Sequence, residues 1–366
     1  MANTQREWHP YQPTNVPVPG ETLRETLDEL GLTQTKLATR TGLTLKHINQ
    51  IIQGNAAISP ETAVALERST DVPASFWNAL ESNYQDHRIR TAEADDLAHH
   101  AQWLEQMPVS ELRKRGFVSV DKRQSGVLLQ EVLKFFGVAS IDAWNAGWRS
   151  PAAAFLQSKA YEVDVAAVAA WLRIGEIDAA RISCEPFERA GLRKALPELR
   201  ALTTQQPRDF YPELVRICRQ VGVAVVLVPE VPGARASGAA RFLSPSKAII
   251  QLSNRRKRND FFWFAFFHEI AHLLLHSKKE TFVDFEDTDG DHADLETEAN
   301  EFAGTLLIPA EYDARVRQIG SPMDAVELAQ ELGIAPGIVA GRYQRESEKW
   351  TFGTKLFQKF EIAQSQ

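Results

Sequence analysis

The side chains that could do chemistry are concentrated in one pentapeptide, His268-Glu269-Ile270-Ala271-His272. On a helix the two histidines lie one turn apart on the same face, where both imidazoles can bind a single metal ion. Zinc in such a site needs a third protein ligand and one open position for water, whose pKa then falls to about 7. Glu269 lies beside the pair and can move a proton from that water to the leaving amine. The pattern therefore predicts metal-dependent hydrolysis of an amide bond.

The third metal ligand is expected from a second helix, which carries the sequence Glu296-Thr297-Glu298-Ala299-Asn300. We predict Glu296, because Asn300 lies one turn further along the helix and can steady the ligands from behind. Glu298 is the reserve candidate. It lies about 200° around the helix from Glu296, so only one of the two carboxylates can face the metal.

The helix around the two histidines is strongly apolar, with FFWFAFF before the motif and LLL after it. Burying a glutamate and two histidines in such surroundings is costly without a metal ion or hydrogen-bond partners. This favours zinc binding over a chance motif on a charged surface helix. His276, His292 and Tyr312 are candidates for stabilising the oxyanion. His276, eight residues after His268, is expected to lie behind the ligands or to be structural.

A second functional pattern lies near the N-terminus, in LTQTKLATRTGLTLKHINQIIQG. Leu37 and Ala38 fall on a short helix, Gly42 in a tight turn, and Ile48 with Ile51 on the next helix, which is helix-turn-helix spacing. Alternatively, the same spacing describes an ordinary helical hairpin with a solvated face.

The outer side of the second helix carries polar and basic residues of the types that contact base edges or phosphates in a major groove. Gln34, at the start of the preceding helix, is expected to bind a phosphate. The predicted DNA contacts on the second helix are Thr44, Lys46, His47, Asn49 and Gln50.

The elements that hold the N-terminal pattern are short helices. Residues 1–20 carry four prolines and no periodicity, so we expect an irregular arm. Apolar spacing and capping residues then predict five helices. They begin at Glu21 and continue at about Gln34–Thr41, Thr44–Gln53, Pro60–Ser69 and Pro73–Gln85.

The elements that hold the pentapeptide are a small sheet and several helices. The middle region is predicted to be helical, and its large aromatic residues are expected in the core: Trp144, Trp148, Phe155 and Trp171. Three β-branched runs then predict three strands: GVAVVLV, GAARFL and KAIIQLS. A helix at about 259–276 follows. The acidic stretch KKETFVDFEDTDGDHAD is interpreted as a mobile, solvated lid, and helices resume at about 294–307 and 324–346.

Two weaker patterns are interpreted as structural. The stretch ELAQELGIAPGIVAGRYQ repeats the helix-turn-helix spacing, but Pro336 and Gly337 replace the polar contact residues, so we expect a packing unit. The run Arg255-Arg256-Lys257-Arg258 is taken as a solvated face.

Composition bounds these interpretations. With 366 residues, 44% of them hydrophobic, the chain exceeds the size of a single core. The net charge of −7 argues against non-specific coating of nucleic acid but permits a local DNA-binding face. Cys184 and Cys218 have no CxxC spacing, which argues against a disulfide framework or a thiolate zinc site. With no secretory or membrane-spanning pattern, we expect a cytoplasmic protein.

Residues from about Leu196 to Gln344 resemble the ImmA/IrrE-type metallopeptidases. The resemblance is carried by PELRALT, GVAVVLVPEVPG, SGAARFL, the stretch IIQLSNRRKRNDFFWFAFFHEIAHLLLH, ETEANEFAGTLLIP and GIAPGIVAGRYQ. It implies a cytoplasmic Zn²⁺ peptidase that cleaves or helps to inactivate a helix-turn-helix repressor, usually encoded beside its own gene. The positions that match the family's motif are His268, Glu269, His272 and Glu296.

Residues from about Val18 to Tyr84 resemble HigA-type antitoxins of the Xre-like repressor class. PGETLRETLDELGLTQTKLA, GNAAISPETAVALE and a proline followed by an FW pair carry this resemblance. It implies a homodimer that binds palindromic double-stranded operator DNA, and in some members a partner toxin.

Together these patterns predict a multidomain chain. An irregular arm (1–20) is followed by an all-α helix-turn-helix domain (21–87), a helical middle region (88–195) and an α+β, zincin-like metallopeptidase domain (196–366) with a three-stranded sheet and the HExxH helix. The predicted function is a DNA-binding transcriptional regulator whose zinc peptidase acts on a repressor. Two alternatives stay open: a non-catalytic repressor or antitoxin that uses the zinc domain as sensor or scaffold, and a general peptidase whose helix-turn-helix recruits a protein substrate.

Overall fold

The structure is a computed structural model, and it describes residues 16–149, 164–253, 257–276, 282–285 and 293–359. The chain divides into two compact units. One comprises residues 1–101 with 121–130, and the other residues 102–120 with 131–366. Each unit is described by itself below.

The first unit is built from helices around one apolar core. Threonine and serine N-caps begin three of them: the side chains of Thr33, Thr44 and Ser59 each accept a hydrogen bond from a backbone N–H in the first turn. Each cap contributes about 1 kcal/mol of helix stability. The helices are α1 (Pro19–Glu29), α2 (Gln34–Thr41), α3 (Leu45–Ile52), α4 (Pro60–Thr70) and α5 (Ala74–Ala98).

Helix α1 begins at Pro19, inside the stretch predicted to be irregular. A Cβ atom on Gly20 would lie 2.1 Å from the carbonyl oxygen of Ile51 and 2.5 Å from the Cα of Ile52. The missing side chain therefore lets the first turn of α1 pack directly on the end of α3. Leu23 and Leu27 then enter the core.

Helix α5 is much longer than predicted, because it continues through the polar stretch after Gln85 to Ala98. That stretch has no apolar periodicity, so its sequence did not indicate a helix. A neighbouring helix, α7 (Ser125–Phe136), packs against it: a Cβ on Gly126 would lie 1.8 Å from the carbonyl oxygen of Ala94. Tertiary packing has overridden the local pattern.

The second unit has a helical part and a part built on a sheet. Trp144 and Trp171 are fully buried, as the sequence predicted. Trp148 is only half-buried, and Phe155 lies outside the described residues. Helix α7 begins in the first unit and enters the second at Glu131. The other helices before the sheet are a 3-10 helix (Ala101–Gln106), α6 (Val109–Lys114), α8 (Ile141–Trp144), a π-helix (Asn145–Arg149), α9 (Val165–Ala180), α10 (Arg189–Ala201), a 3-10 helix (Leu202–Thr204) and α11 (Pro207–Gln220).

The sheet contains the three predicted strands and a fourth. The strands are β1 (Val223–Leu227), β2 (Ala236–Ser244), β3 (Lys247–Leu252) and β4 (Phe282–Phe285), in the order β1-β3-β2-β4. Strand β1 runs parallel to β3, and β2 is antiparallel to both β3 and β4. Strand β4 comes from the acidic stretch interpreted as a lid, so that interpretation is wrong for 282–285. Pairing with β2 explains the strand.

The sheet separates two helical layers. On one face, buried Arg241 donates a hydrogen bond to the Leu172 carbonyl of α9 at 2.7 Å, and buried Gln251 donates one to the Trp171 carbonyl at 2.6 Å. On the other face, Ala240 and Ile250 belong to the main core. Alternation along the strands produces this division.

The helix that carries the pentapeptide, α12 (Asn259–Leu275), packs on that second face. The remaining elements are α13 (Ala293–Leu307), a 3-10 helix (Ala310–Tyr312), α14 (Asp313–Arg317), α15 (Pro322–Leu332), α16 (Pro336–Ser347) and a 3-10 helix (Thr354–Leu356). The repeat of the helix-turn-helix spacing forms α15 and α16. Leu328, Ala329, Ile334 and Val339 are all buried there, which agrees with a packing unit.

Candidate metal centre and nucleic-acid interface

Helices α12 and α13 bring two histidines and one carboxylate together. The Nε2 atoms of His268 and His272 are 2.9 Å apart. Glu296 Oε2 lies 3.1 Å from His268 Nε2, and Glu296 Oε1 lies 3.5 Å from His272 Nε2. All three side chains are buried, and one ligand atom from each lies within 4.8 Å of the others. The two elements therefore hold two nitrogen donors and one oxygen donor around one point.

Asn300 fixes the orientation of the first imidazole. Its Oδ1 lies 3.2 Å from His268 Nδ1. An amide oxygen can only accept a hydrogen bond, so the proton of His268 lies on Nδ1. Its Nε2 then points a lone pair at Glu296 and His272.

A chain of two contacts fixes the second imidazole. Glu298 Oε2 lies 3.1 Å from His276 Nε2, and His276 Nδ1 lies 2.9 Å from His272 Nδ1. Since the Glu298 carboxylate accepts from His276 Nε2–H, His276 Nδ1 accepts from His272 Nδ1–H. His272 Nε2 then also directs its lone pair at the cluster. Glu298, the reserve ligand, thus contacts His276 and not the ligand cluster.

Glu269 is fully buried and lies against strand β2. A Cβ atom on Gly238 would be 2.2 Å from Glu269 Oε1 and 2.9 Å from its carboxyl carbon. Glycine at this position therefore makes room for the carboxylate beside the two histidines. Nothing in the local spacing of the sequence pointed to Gly238, which lies 31 residues before Glu269.

The donor set fits a zinc ion. Zinc is commonly bound by two histidine nitrogens and one carboxylate oxygen, with a position left for water or substrate. Here both Nε2 atoms are unprotonated in the hydrogen-bond scheme above, and each Nδ1 is held by a side chain, as is usual around zinc. The residues present thus satisfy what the ion requires.

Of the three candidates for stabilising the oxyanion, the structure describes two, His276 and Tyr312. His276 is engaged by His272 and Glu298. Tyr312 lies in the 3-10 helix Ala310–Tyr312, where its ring faces the Arg315 guanidinium. His292 lies outside the described residues.

The predicted DNA contacts lie on α2 and α3, apart from the metal cluster in the sequence. Gly42 caps α2 with a left-handed φ of 74°, which makes the turn between the two helices. Thr44, Lys46 and Asn49 are exposed. Gln34, His47 and Gln50 are half-buried.

Two details of α3 were not expected. The Thr44 hydroxyl is the N-cap and accepts a hydrogen bond from the His47 backbone N–H at 3.1 Å. Gln53, one turn after Asn49 and two turns after Lys46, is exposed on the same side. Helical periodicity applied one turn further would have found Gln53.

Two protein-family models match the chain. Residues 219–343 match the peptidase M78 family, described as the IrrE N-terminal-like domain, and residues 23–77 match a helix-turn-helix family. The first match contains all of α12 and α13, with the candidate metal cluster. The second contains α2 and α3.

Solved structures are similar to the N-terminal region. Pseudomonas aeruginosa antitoxin HigA with the higBA promoter is 30% identical, over 23% of this chain and 94% of that chain, with a TM-score of 0.22. A second Pseudomonas aeruginosa protein, in complex with its operator DNA, is 29% identical over 23% and 94%, with a TM-score of 0.22. A HigA-family antidote protein from Coxiella burnetii is 22% identical over 24% and 95%, with a TM-score of 0.22. No curated protein matches the chain.

Within the described residues, no helix combines the length and the apolar character needed to cross a membrane.

Proposed function

We propose that this chain is a DNA-binding transcriptional regulator with a zinc-dependent metallopeptidase site that cleaves or inactivates a repressor protein. Residues 23–77 match the helix-turn-helix family model, and residues 219–343 match that of the IrrE N-terminal-like domain, which supports the proposal. The observation that carries the proposal is the buried cluster of His268, His272 and Glu296 with Glu269 beside it. We assign residues 21–87 to DNA binding and residues 196–366 to the peptidase.

His268, His272 and Glu296 would hold the metal ion, which when bound polarises the scissile carbonyl and acidifies a water molecule. The protein's own part is positioning and proton transfer. Asn300 and His276 keep both imidazoles in the tautomer that presents Nε2. Glu269 takes the proton of the attacking water and later gives it to the leaving amine.

Burial suits Glu269 for this role. The carboxylate is enclosed between α12 and β2, so its position is fixed before substrate arrives. A base held in place transfers a proton with little reorganisation, and such general-base contributions are worth about 10²- to 10⁴-fold in rate.

The N-terminal unit supplies the proposed DNA contacts. Lys46 and Asn49 on α3 and Gln53 directly after it are exposed, while Ile48 and Ile51 fix the helix to the core. Side chains of these types bind phosphates and base edges when a helix lies in the major groove. We propose a homodimer on palindromic operator DNA. We extend the proposal to a partner toxin on the basis of the resemblance to HigA-type antitoxins alone.

The second candidate function is a non-catalytic repressor or antitoxin in which the zinc domain serves as sensor or scaffold. The buried contacts around the ligands favour it as well, because they hold the metal whether or not turnover follows. It predicts zinc and operator binding without cleavage.

The test is cleavage of the repressor encoded beside this gene, by wild type and by Glu269→Gln, with operator footprints of both. We expect zinc and a footprint in both proteins but cleavage only by wild type. If neither cleaves and both keep the footprint, the sensor function is correct instead. If wild type cleaves but gives no specific footprint and loses DNA evenly as salt rises, the helix-turn-helix only recruits a substrate.

A further inference from the structure

A cavity of about 280 Å³ lies beside the helices that carry the metal cluster, without including any of the cluster residues. Its wall is formed by the N-terminal turns of α12, the last turns of α13, and α16 with Trp350 after it. The floor is apolar, with Leu307, Ile308 and Ile338 among the lining residues. The volume is at the small end of ligand pockets, which suits a compact molecule.

Aromatic side chains offer flat contact surfaces in this cavity. Phe261, Phe264 and Trp350 all line it. Trp350 is 63% exposed, which is unusual for so large an apolar side chain and is explained if a ligand covers it. Flat aromatic ligands pack well on such rings.

The arginines that line the cavity differ in their acidic partners. Three arginines and one aspartate line it. Arg258 donates two hydrogen bonds to Asp260, at 3.0 and 2.7 Å, so this pair is neutral overall. Arg342 contacts Asp313 and Glu346. For Arg345, by contrast, no acidic partner occurs among the described residues.

Arg345 is held where it can meet a ligand. Its guanidinium lies over the ring of Phe264, 5.5 Å from the ring centroid. An arginine in this position presents a planar fork of donors that matches a carboxylate. The aromatic surface and the cation are therefore adjacent.

We propose that this cavity binds a small aromatic carboxylate, with Arg345 on the carboxylate and Trp350 and Phe264 on the ring. The proposal does not depend on peptidase turnover. Two neighbours connect the cavity to the metal cluster. Phe264 lies one helical turn before His268, and their ring centroids are 6.4 Å apart. Gly304 lies one turn after Asn300, which bonds His268. A bound ligand thus contacts both helices that hold the cluster.

The test is calorimetric titration of the full-length, zinc-loaded protein with 2-naphthoate and with its neutral analogue 2-naphthylmethanol. We expect saturable naphthoate binding with a Kd below about 1 mM, and at least tenfold weaker binding of the alcohol. Equal binding of the two compounds, or no saturable binding of naphthoate, would overturn the proposal.

Two variants show whether the binding occurs in this cavity. Arg345→Gln removes the cation and should weaken naphthoate binding at least tenfold, whereas Arg193→Gln, at an exposed position on α10, should leave it unchanged. Gly304→Ala narrows the cavity, since its Cβ would be 3.2 Å from Arg342 Nη1. It should weaken binding without lowering Tm, because alanine favours a helix interior over glycine. Binding that persists in both variants would show that naphthoate binds elsewhere, as on the metal ion.

An aromatic ring and a carboxylate also occur together at the C-terminus of a peptide that ends in an aromatic residue. N-acetylphenylalanine is therefore titrated in parallel. Tighter binding of naphthoate supports a free aromatic acid as the ligand, and tighter binding of N-acetylphenylalanine contradicts it.

Discussion

At the scale of single residues, the candidate metal centre depends on side chains that orient other side chains. Asn300 and His276 do not belong to the ligand cluster, yet their contacts decide which nitrogen each imidazole presents. Gly238 contributes through what it lacks, because any Cβ would occupy the space of the Glu269 carboxylate. The chemistry is thus set as much by these neighbours as by the histidines.

Gly238→Ala should separate catalysis from metal binding. Its Cβ would lie 2.2 Å from Glu269 Oε1, so the carboxylate must move away from its position beside the histidines. We expect cleavage of the repressor to fall at least about 100-fold while zinc content is unchanged. Gly147→Ala is the matched control, since a Cβ there meets nothing within 4 Å. A Gly238→Ala protein with full activity would contradict the proposed role of Glu269.

Asn300→Ala should weaken zinc binding by about 10- to 100-fold, because His268 loses the acceptor that holds its Nδ1–H. The measurement is competition for zinc against a chelator of known affinity. Glu301→Ala, at the next and exposed position of α13, serves as the control and should bind zinc as wild type does. Equal affinities for the two variants would mean that the Asn300 contact does not support the site.

At the scale of elements, the sequence and the structure agree where apolar periodicity is strong. Helices α2, α3 and α4 and strands β1 to β3 follow from caps, spacing and β-branched runs. The sequence also put forward Glu296 as a partner of His268 and His272, from helical geometry alone. Their role as metal ligands remains our proposal.

Elsewhere the sequence was insufficient, because the deciding contact comes from a distant segment. The polar end of α5 is helical where Gly126 packs on Ala94, and β4 forms by pairing with β2. Gly238 on β2 lies against Glu269 on α12, although strand β3 separates the two elements in the sequence. Such contacts leave no periodic pattern in either segment.

Gly20→Ala should destabilise the N-terminal unit. The added Cβ would lie 2.1 Å from the Ile51 carbonyl oxygen, so α1 and α3 must move apart. We expect a loss of about 1–3 kcal/mol in the free energy of unfolding, measured by urea denaturation. Glu25→Ala, on the exposed side of α1, should change it by less than about 0.5 kcal/mol. A stable Gly20→Ala protein would show that this close approach is not required.

Helix α3 allows a test of DNA binding. Lys46→Ala should weaken binding to all DNA sequences alike and lower the slope of log K against log salt by about 1, because one phosphate contact is lost. Fluorescence anisotropy over a series of salt concentrations measures both quantities. Lys134→Ala, at an exposed position of α7, is the control. An unchanged slope for Lys46→Ala would exclude this side chain as a phosphate contact.

At the scale of the whole molecule, two kinds of proposed site lie in two compact units of one chain. The helix-turn-helix match falls in the first unit and the IrrE N-terminal-like match in the second. The proposed aromatic-acid cavity adds a place in the second unit where a small molecule can contact both helices of the metal cluster. In this account, one chain combines recognition of DNA with a hydrolytic site and a ligand pocket.

The central claim is that His268, His272 and Glu296 hold one zinc ion, and the most direct measurement is zinc content by elemental analysis. We expect one zinc per chain in wild type, in Glu269→Gln and in Cys184→Ser, because neither Glu269 nor Cys184 is a ligand in this account. Glu296→Gln should contain little or none, since it loses the anionic donor. Zinc retained in full by Glu296→Gln, or lost in Cys184→Ser, would contradict the assignment.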